Sequence, residues 1–159
     1  MKKLRFSSAC LLIFFCSDLV YSNSDYNVIV IIPDDHARRS MGAYGNKDVI
    51  TPNLDKIANQ GIRFDNAYAA APVCSPSRGA MLSGKYPSQV GLKDFLMLND
   101  NYKDQGIDPN TVLWPKLLRD HGYSTGLIGK WHLGTDESRQ PLSMGFEYFV
   151  GYDQDLSPY

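Results

Sequence analysis

Asn27-Val28-Ile29-Val30-Ile31-Ile32-Pro33-Asp34-Asp35 is an unbroken β-branched run closed by a proline and two acids. Continuous rather than alternating apolarity predicts a strand buried on both faces, as in a parallel sheet covered by helices. Outward from it the pattern switches to helix. Residues 51–61 predict a short helix with Thr51 as N-cap, Pro52 in the first turn and Gly61 at its end. Residues 62–64 predict a second short strand. Residues 75–83 predict a helix that tolerates Pro76 in its first turn and stops before Gly84. Residues 91–109 are polar and turn-rich and predict an excursion over the surface. Residues 111–122 predict a further helix, capped by Thr111 and ended by Gly122. Residues 123–129 then read as a strand leading into Lys130-Trp131-His132-Leu133-Gly134. Strand and helix in alternation is the doubly wound α/β signature. Ligands in such sheets bind beyond the carboxyl ends of the strands. Asp34-Asp35 and Lys130-Trp131-His132 both fall at such ends.

The 159 residues are 43% hydrophobic and 21% charged, an ordinary globular balance that excludes disorder, collagen and coiled coil. A formal net charge of −1, without a long basic run, argues against nucleic acid as a partner. The first residues read differently from the rest. Lys2, Lys3 and Arg5 precede the apolar run Ala9-Cys10-Leu11-Leu12-Ile13-Phe14-Phe15-Cys16, and Val20-Tyr21-Ser22 offers small residues for cleavage. Residues 1–22 are therefore expected to be a secretory signal peptide. The run is too short to span a bilayer, so no stable membrane insertion is expected after cleavage. Export implies a periplasmic, secreted or lysosomal-type compartment. Cleavage also removes Cys10 and Cys16, leaving Cys74 without a partner for an internal disulfide. A lone thiol outside the cytoplasm needs a reason.

Three groups carry candidate chemistry. Cys74 opens Cys74-Ser75-Pro76-Ser77-Arg78-Gly79-Ala80-Met81-Leu82-Ser83-Gly84. In isolation it would read as a small buried hydrophobe. Asp34 and Asp35 would diverge in a regular strand but can converge on one hard cation at an irregular strand end. Their plainer reading is a pair of turn carboxylates. Lys130 and His132 lie on one face of an extended segment, with Trp131 turned into packing. Alone they would read as a surface lysine and a histidine bonded to backbone. His121, near a helix end, reads as structural. His36, next to the acid pair, reads as a support for it or a substrate contact, and Arg38 and Arg39 read as a solvated loop, with contact to an anionic substrate as the alternative.

The Cys74–Gly84 segment resembles the signature of the sulfatase family, Cys-x-Pro-Ser-Arg followed by Leu-Thr-Gly, with Ser83 standing for the threonine. Pro33-Asp34-Asp35, Thr51-Pro52-Asn53-Leu54-Asp55 and Gly129-Lys130-Trp131-His132-Leu133-Gly134 are also similar to that family, in its order. The likeness covers roughly residues 26–152. It implies an alkaline-phosphatase-like α/β fold, a mixed and largely parallel sheet flanked by helices. Residues 23–159 would be the N-terminal portion of the catalytic domain.

By that resemblance Cys74 is converted by a formylglycine-generating maturation enzyme to formylglycine. Its hydrate attacks the sulfur of a sulfate ester and then releases sulfate through its second hydroxyl, splitting one difficult step into two. Pro76 and Arg78 belong to the pattern recognised during maturation, and Arg78 then braces the formylglycine. Asp34 and Asp35, with the residue at Cys74, hold a divalent cation, commonly Ca²⁺, with Mg²⁺ as the other hard option. Lys130 contacts the sulfate oxygens, and His132 assists proton removal. The substrate is a sulfated small molecule or polysaccharide.

The family's later active-site residues have no counterpart here, so the 159-residue chain by itself is expected to be incomplete and inactive. An unfinished sheet is expected to expose an edge and an apolar face. A phosphodiesterase or phosphonate hydrolase of the same superfamily, or an inactive fragment that only binds sulfated glycans, fits the same residues.

Overall fold

The computed structural model describes residues 26–97 and 104–153. The expected signal peptide lies outside them. The chain divides into two units between Pro33 and Asp34. In the first, residues 26–33 carry no regular secondary structure and are exposed throughout, Ile29 at 82%. The strand predicted there is thus not formed. A strand buried on both faces exists only where other strands flank it and helices cover it, and the one sheet among the described residues has two strands, both in the second unit.

Among its described residues the second unit holds three α-helices, several short 3-10 turns and that sheet. α1 (Pro52–Gln60) starts with its proline in the first turn and ends at Gly61, as its sequence predicts. Thr51 precedes it without a side-chain cap bond. Its hydroxyl donates to Asp55 instead and accepts from the Gly42 amide, tying the helix start to the 42–44 turn. Residues 62–64, predicted as a strand, form none. α2 (Cys74–Ser83) stops at Gly84, which adopts φ 67°, a left-handed value open to glycine without strain. α3 (Trp114–Asp120) is shorter than its sequence signal. Leu113 occupies the N-cap, and Thr111 is buried ahead of it.

β1 (Gly126–Lys130) and β2 (Tyr148–Tyr152) pair in parallel, from Gly126 opposite Tyr148 to Lys130 opposite Tyr152. β2 carries no clean apolar signal, because its alternation runs through Tyr, Phe, Val and Gly. Ile128 and Val150 are exposed, the uncovered apolar surface expected of a partial sheet.

The core gathers Leu82 of α2 with Val90, Leu92, Leu96, Ile107, Leu113, Trp131, Leu133, Met144 and Phe146. Leu92, Leu96 and Ile107 correct the expectation that residues 91–109 merely cross the surface. The segment is polar overall, yet three apolar side chains in it are enough to anchor it, since each buried side chain of this size is worth about 1.5–3 kcal/mol. Gly79 makes room for one of them: a Cβ there would lie 2.2 Å from Leu92 Cδ1. Trp131 meets Phe146 edge to face at 6.1 Å, and its Nε1 donates to the Arg139 carbonyl at 2.8 Å. This packing fixes the chain just beyond β1, where the candidate site begins.

Candidate active site

Asp34 and Asp35 lie in a turn. Asp35 adopts φ 51°, a left-handed conformation that aspartate tolerates better than most side chains. That turn brings both carboxylates to one place, which a regular strand would not do. Cys74 joins them: one carboxylate oxygen from each acid and the Cys74 sulfur lie within 4.8 Å of one another. Cys74 is the first residue of α2, so its side chain sits at the end where backbone N–H groups lack helical partners and the dipole is positive.

Arg78 follows one helical turn after Cys74 and shares its face of α2. Its Nη2 lies 3.1 Å from Asp34 Oδ1, and its Nη1 donates to the Lys130 carbonyl at 2.9 Å. Lys130 closes β1, and its Nζ donates to Asp34 Oδ2 at 2.8 Å. The two cations are mostly withdrawn from solvent, with the Lys130 side chain 5% and the Arg78 side chain 14% exposed, whereas Asp34 is 43% exposed. The Lys130 ammonium, above all, holds the Asp34 carboxyl below its ordinary range. Arg78 adds to this, against a desolvation that pushes the other way.

His132 does not share a face with Lys130, and it is bonded to backbone, as its reading in isolation has it. β1 ends at Lys130, and His132 takes φ 59°, so the alternation that would put Lys130 and His132 on one face stops between them. Lys130 reaches Asp34, while His132 is wholly buried with Nε2 2.9 Å from the Leu96 carbonyl. A carbonyl only accepts, so Nε2 carries the proton in this bond. The Phe95 ring meets the imidazole edge-on at 4.9 Å. Trp131, between the two, is in the core as its sequence reading has it. The roles of Phe95 and of the Leu96 carbonyl have no local sequence signal, because a backbone acceptor 36 residues away leaves no motif.

The remaining candidates are peripheral. His36 is exposed, as is Arg39. Arg38 packs its guanidinium over Tyr44 at 4.9 Å and donates to the Asp65 carbonyl, which clasps a loop. His121 Nδ1 contacts the Leu117 carbonyl at the end of α3, a structural bond.

A divalent cation fits the donor set on chemical grounds. Two carboxylates suit a hard ion. A cysteine sulfur does not, but an oxygen function at position 74 would make all three donors oxygen. Asp34, Asp35 and the residue at Cys74 are the ones that would hold it.

The sulfatase family model matches residues 26–159. Human arylsulfatase D is 37% identical over 151 aligned positions, covering 89% of this chain and 26% of the relative. Human N-acetylgalactosamine-6-sulfatase is 37% identical over 133 positions, covering 79% of this chain and 25% of the relative. The chain thus spans about a quarter of the length of these curated relatives. Among solved structures, Ps i-CgsB in complex with k-i-k-neocarrahexaose superposes with a TM-score of 0.72 at 36% identity, covering 77% of this chain and 27% of that one. PsFucS1 sulfatase from Pseudoalteromonas sp. gives a TM-score of 0.56 at 38% identity, covering 71% of this chain and 23% of that one. The matched region contains both the turn with its two acids and the helix that Cys74 opens, and on this match the chain belongs to the sulfatase family.

Proposed function

We propose that the protein hydrolyses sulfate esters through a formylglycine made from Cys74, with a divalent cation, expected to be calcium, held by Asp34 and Asp35. One observation carries this reading. The Cys74 sulfur and the two carboxylates converge within 4.8 Å at the N-terminus of α2. Membership of the sulfatase family supports the reaction class.

Hydrated formylglycine supplies two hydroxyls on one carbon, one to attack sulfur and one for sulfate release, and the cation supplies charge against the sulfate oxygens. The chain's own residues do the rest. Lys130 and Arg78 bring two positive charges to Asp34 and attract the anionic sulfate group of the ester. The first-turn amides of α2 add donors of the same sign. His132 holds the proton of Nε2 on the Leu96 carbonyl, so proton transfer during turnover is assigned to Nδ1.

The substrate is proposed to be a sulfated carbohydrate. The name of N-acetylgalactosamine-6-sulfatase and the oligosaccharide bound to Ps i-CgsB support that class. The N-terminal residues support export, and among the described residues no helix is long and apolar enough to cross a membrane. Maturation requires a formylglycine-generating enzyme as partner.

The test is co-expression of the protein with such an enzyme, followed by two readouts. Mass spectrometry of the Cys74 peptide should show formylglycine. In a protein that carries the rest of the catalytic domain, turnover of an aryl sulfate should exceed that of the matched aryl phosphate and vanish in Cys74→Ala. Preference for the phosphate would move the assignment to phosphoester hydrolysis, and unchanged turnover in Cys74→Ala would end the mechanism.

A further inference from the structure

Asp34 is asked to serve three cations, and this has a measurable consequence. Both of its oxygens are engaged by side chains: Oδ2 by Lys130 Nζ at 2.8 Å and Oδ1 by Arg78 Nη2 at 3.1 Å. The same carboxylate belongs to the group that would hold the metal. We infer that Lys130 and Arg78 act as built-in counter-cations that weaken divalent-cation binding at Asp34, so that the site holds its ion loosely. This rests on the metal reading above.

The physical argument is one of charge and access. A fixed positive charge within a few ångströms of a divalent ion raises the ion's energy, and the effect grows as the charges leave bulk water. Lys130 and Arg78 are the less exposed partners of Asp34 and are poorly screened. The opposing effect is positional. Both side chains also hold the Asp34 carboxylate in place, and their loss would loosen a ligand. The two effects predict opposite signs, which makes the inference decidable. Lys130 makes the shorter contact and has the less exposed side chain, so its removal is expected to act more strongly than that of Arg78.

The experiment is calorimetric titration with CaCl₂ of the full chain after conversion of Cys74 to formylglycine, with circular dichroism to confirm that each variant is folded. Lys130→Gln is expected to bind Ca²⁺ about tenfold more tightly than wild type, and Arg78→Gln several-fold more tightly. Lys130→Arg keeps the charge and is expected to bind as wild type does. If Lys130→Gln does not fold, Arg78→Gln against wild type decides alone. Equal or weaker binding in the Gln variants would overturn the inference and make both residues positional supports only. Asp34→Asn separates the two levels. Ca²⁺ binding unaffected by Asp34→Asn, or absent from wild type, would overturn the metal reading itself and the inference with it.

Discussion

Lys130 Nζ lies 2.8 Å from Asp34 Oδ2 across 96 residues of chain, joining the end of β1 to the turn that carries the acid pair. Arg78 closes the triangle from α2, touching Asp34 with one nitrogen and the Lys130 carbonyl with another. Three elements are thus held at one point by one carboxylate and two cations.

The depressed Asp34 carboxyl links the junction to pH. Its stabilisation is fully present above the ordinary carboxylate value of about 3.9 and is lost as pH falls through the lower native value. In chelator, the melting temperature of wild type should exceed that of Asp34→Asn near neutrality, and the gap should close on acidification. Because Asp34 is 43% exposed, screening keeps the gap small. A gap that widens in acid would contradict the ion-pair account.

Arg78→Lys keeps the charge but loses the fork that reaches two acceptors at once. One of the Asp34 and Lys130 carbonyl contacts should go, costing about 1 kcal/mol in chemical denaturation. An unchanged denaturation midpoint would mean that one contact contributes nothing.

Gly79→Ala places a methyl 2.2 Å from Leu92 Cδ1, deep in the core. Overpacking of this kind costs about 1–3 kcal/mol. The double variant with Leu92→Ala should show a smaller Gly79→Ala penalty than wild type does, since the clashing atom is gone. Strict additivity in the four-protein cycle would place the strain elsewhere.

His132→Ala removes a buried ring and strands the Leu96 carbonyl. An unsatisfied buried acceptor costs about 1–3 kcal/mol before the lost packing against Phe95 is counted. His132→Gln, which retains a donor, should lose less than His132→Ala in thermal denaturation. Equal losses would show that packing, not the hydrogen bond, accounts for the effect.

Much of the local structure is legible in the chain. Pro52 and Gly61 bracket α1, and Gly84 ends α2, because proline and glycine act on the backbone wherever they stand. The four-residue step from Cys74 to Arg78 is one helical turn, so their shared face follows from spacing alone. Cys74, Asp34, Asp35, Arg78 and Lys130, chosen by type and motif, do come together. The reading failed where burial depends on neighbours. The Val/Ile run at residues 28–32 is apolar enough for a buried strand but forms none among the described residues. β2 has no local signal, because a mixed Tyr-Phe-Val-Gly-Tyr segment becomes a strand only against β1.

What the sequence determined by itself was the set of reactive groups and the turns and helix ends that carry them, since those depend on bonds and dihedrals within a few residues. Tertiary structure alone decided which groups meet. Asp34 reaches Lys130, and His132 reaches Leu96, because core packing of Trp131 and Leu92 fixes their elements in space. Such contacts depend on distances through space that no local pattern encodes.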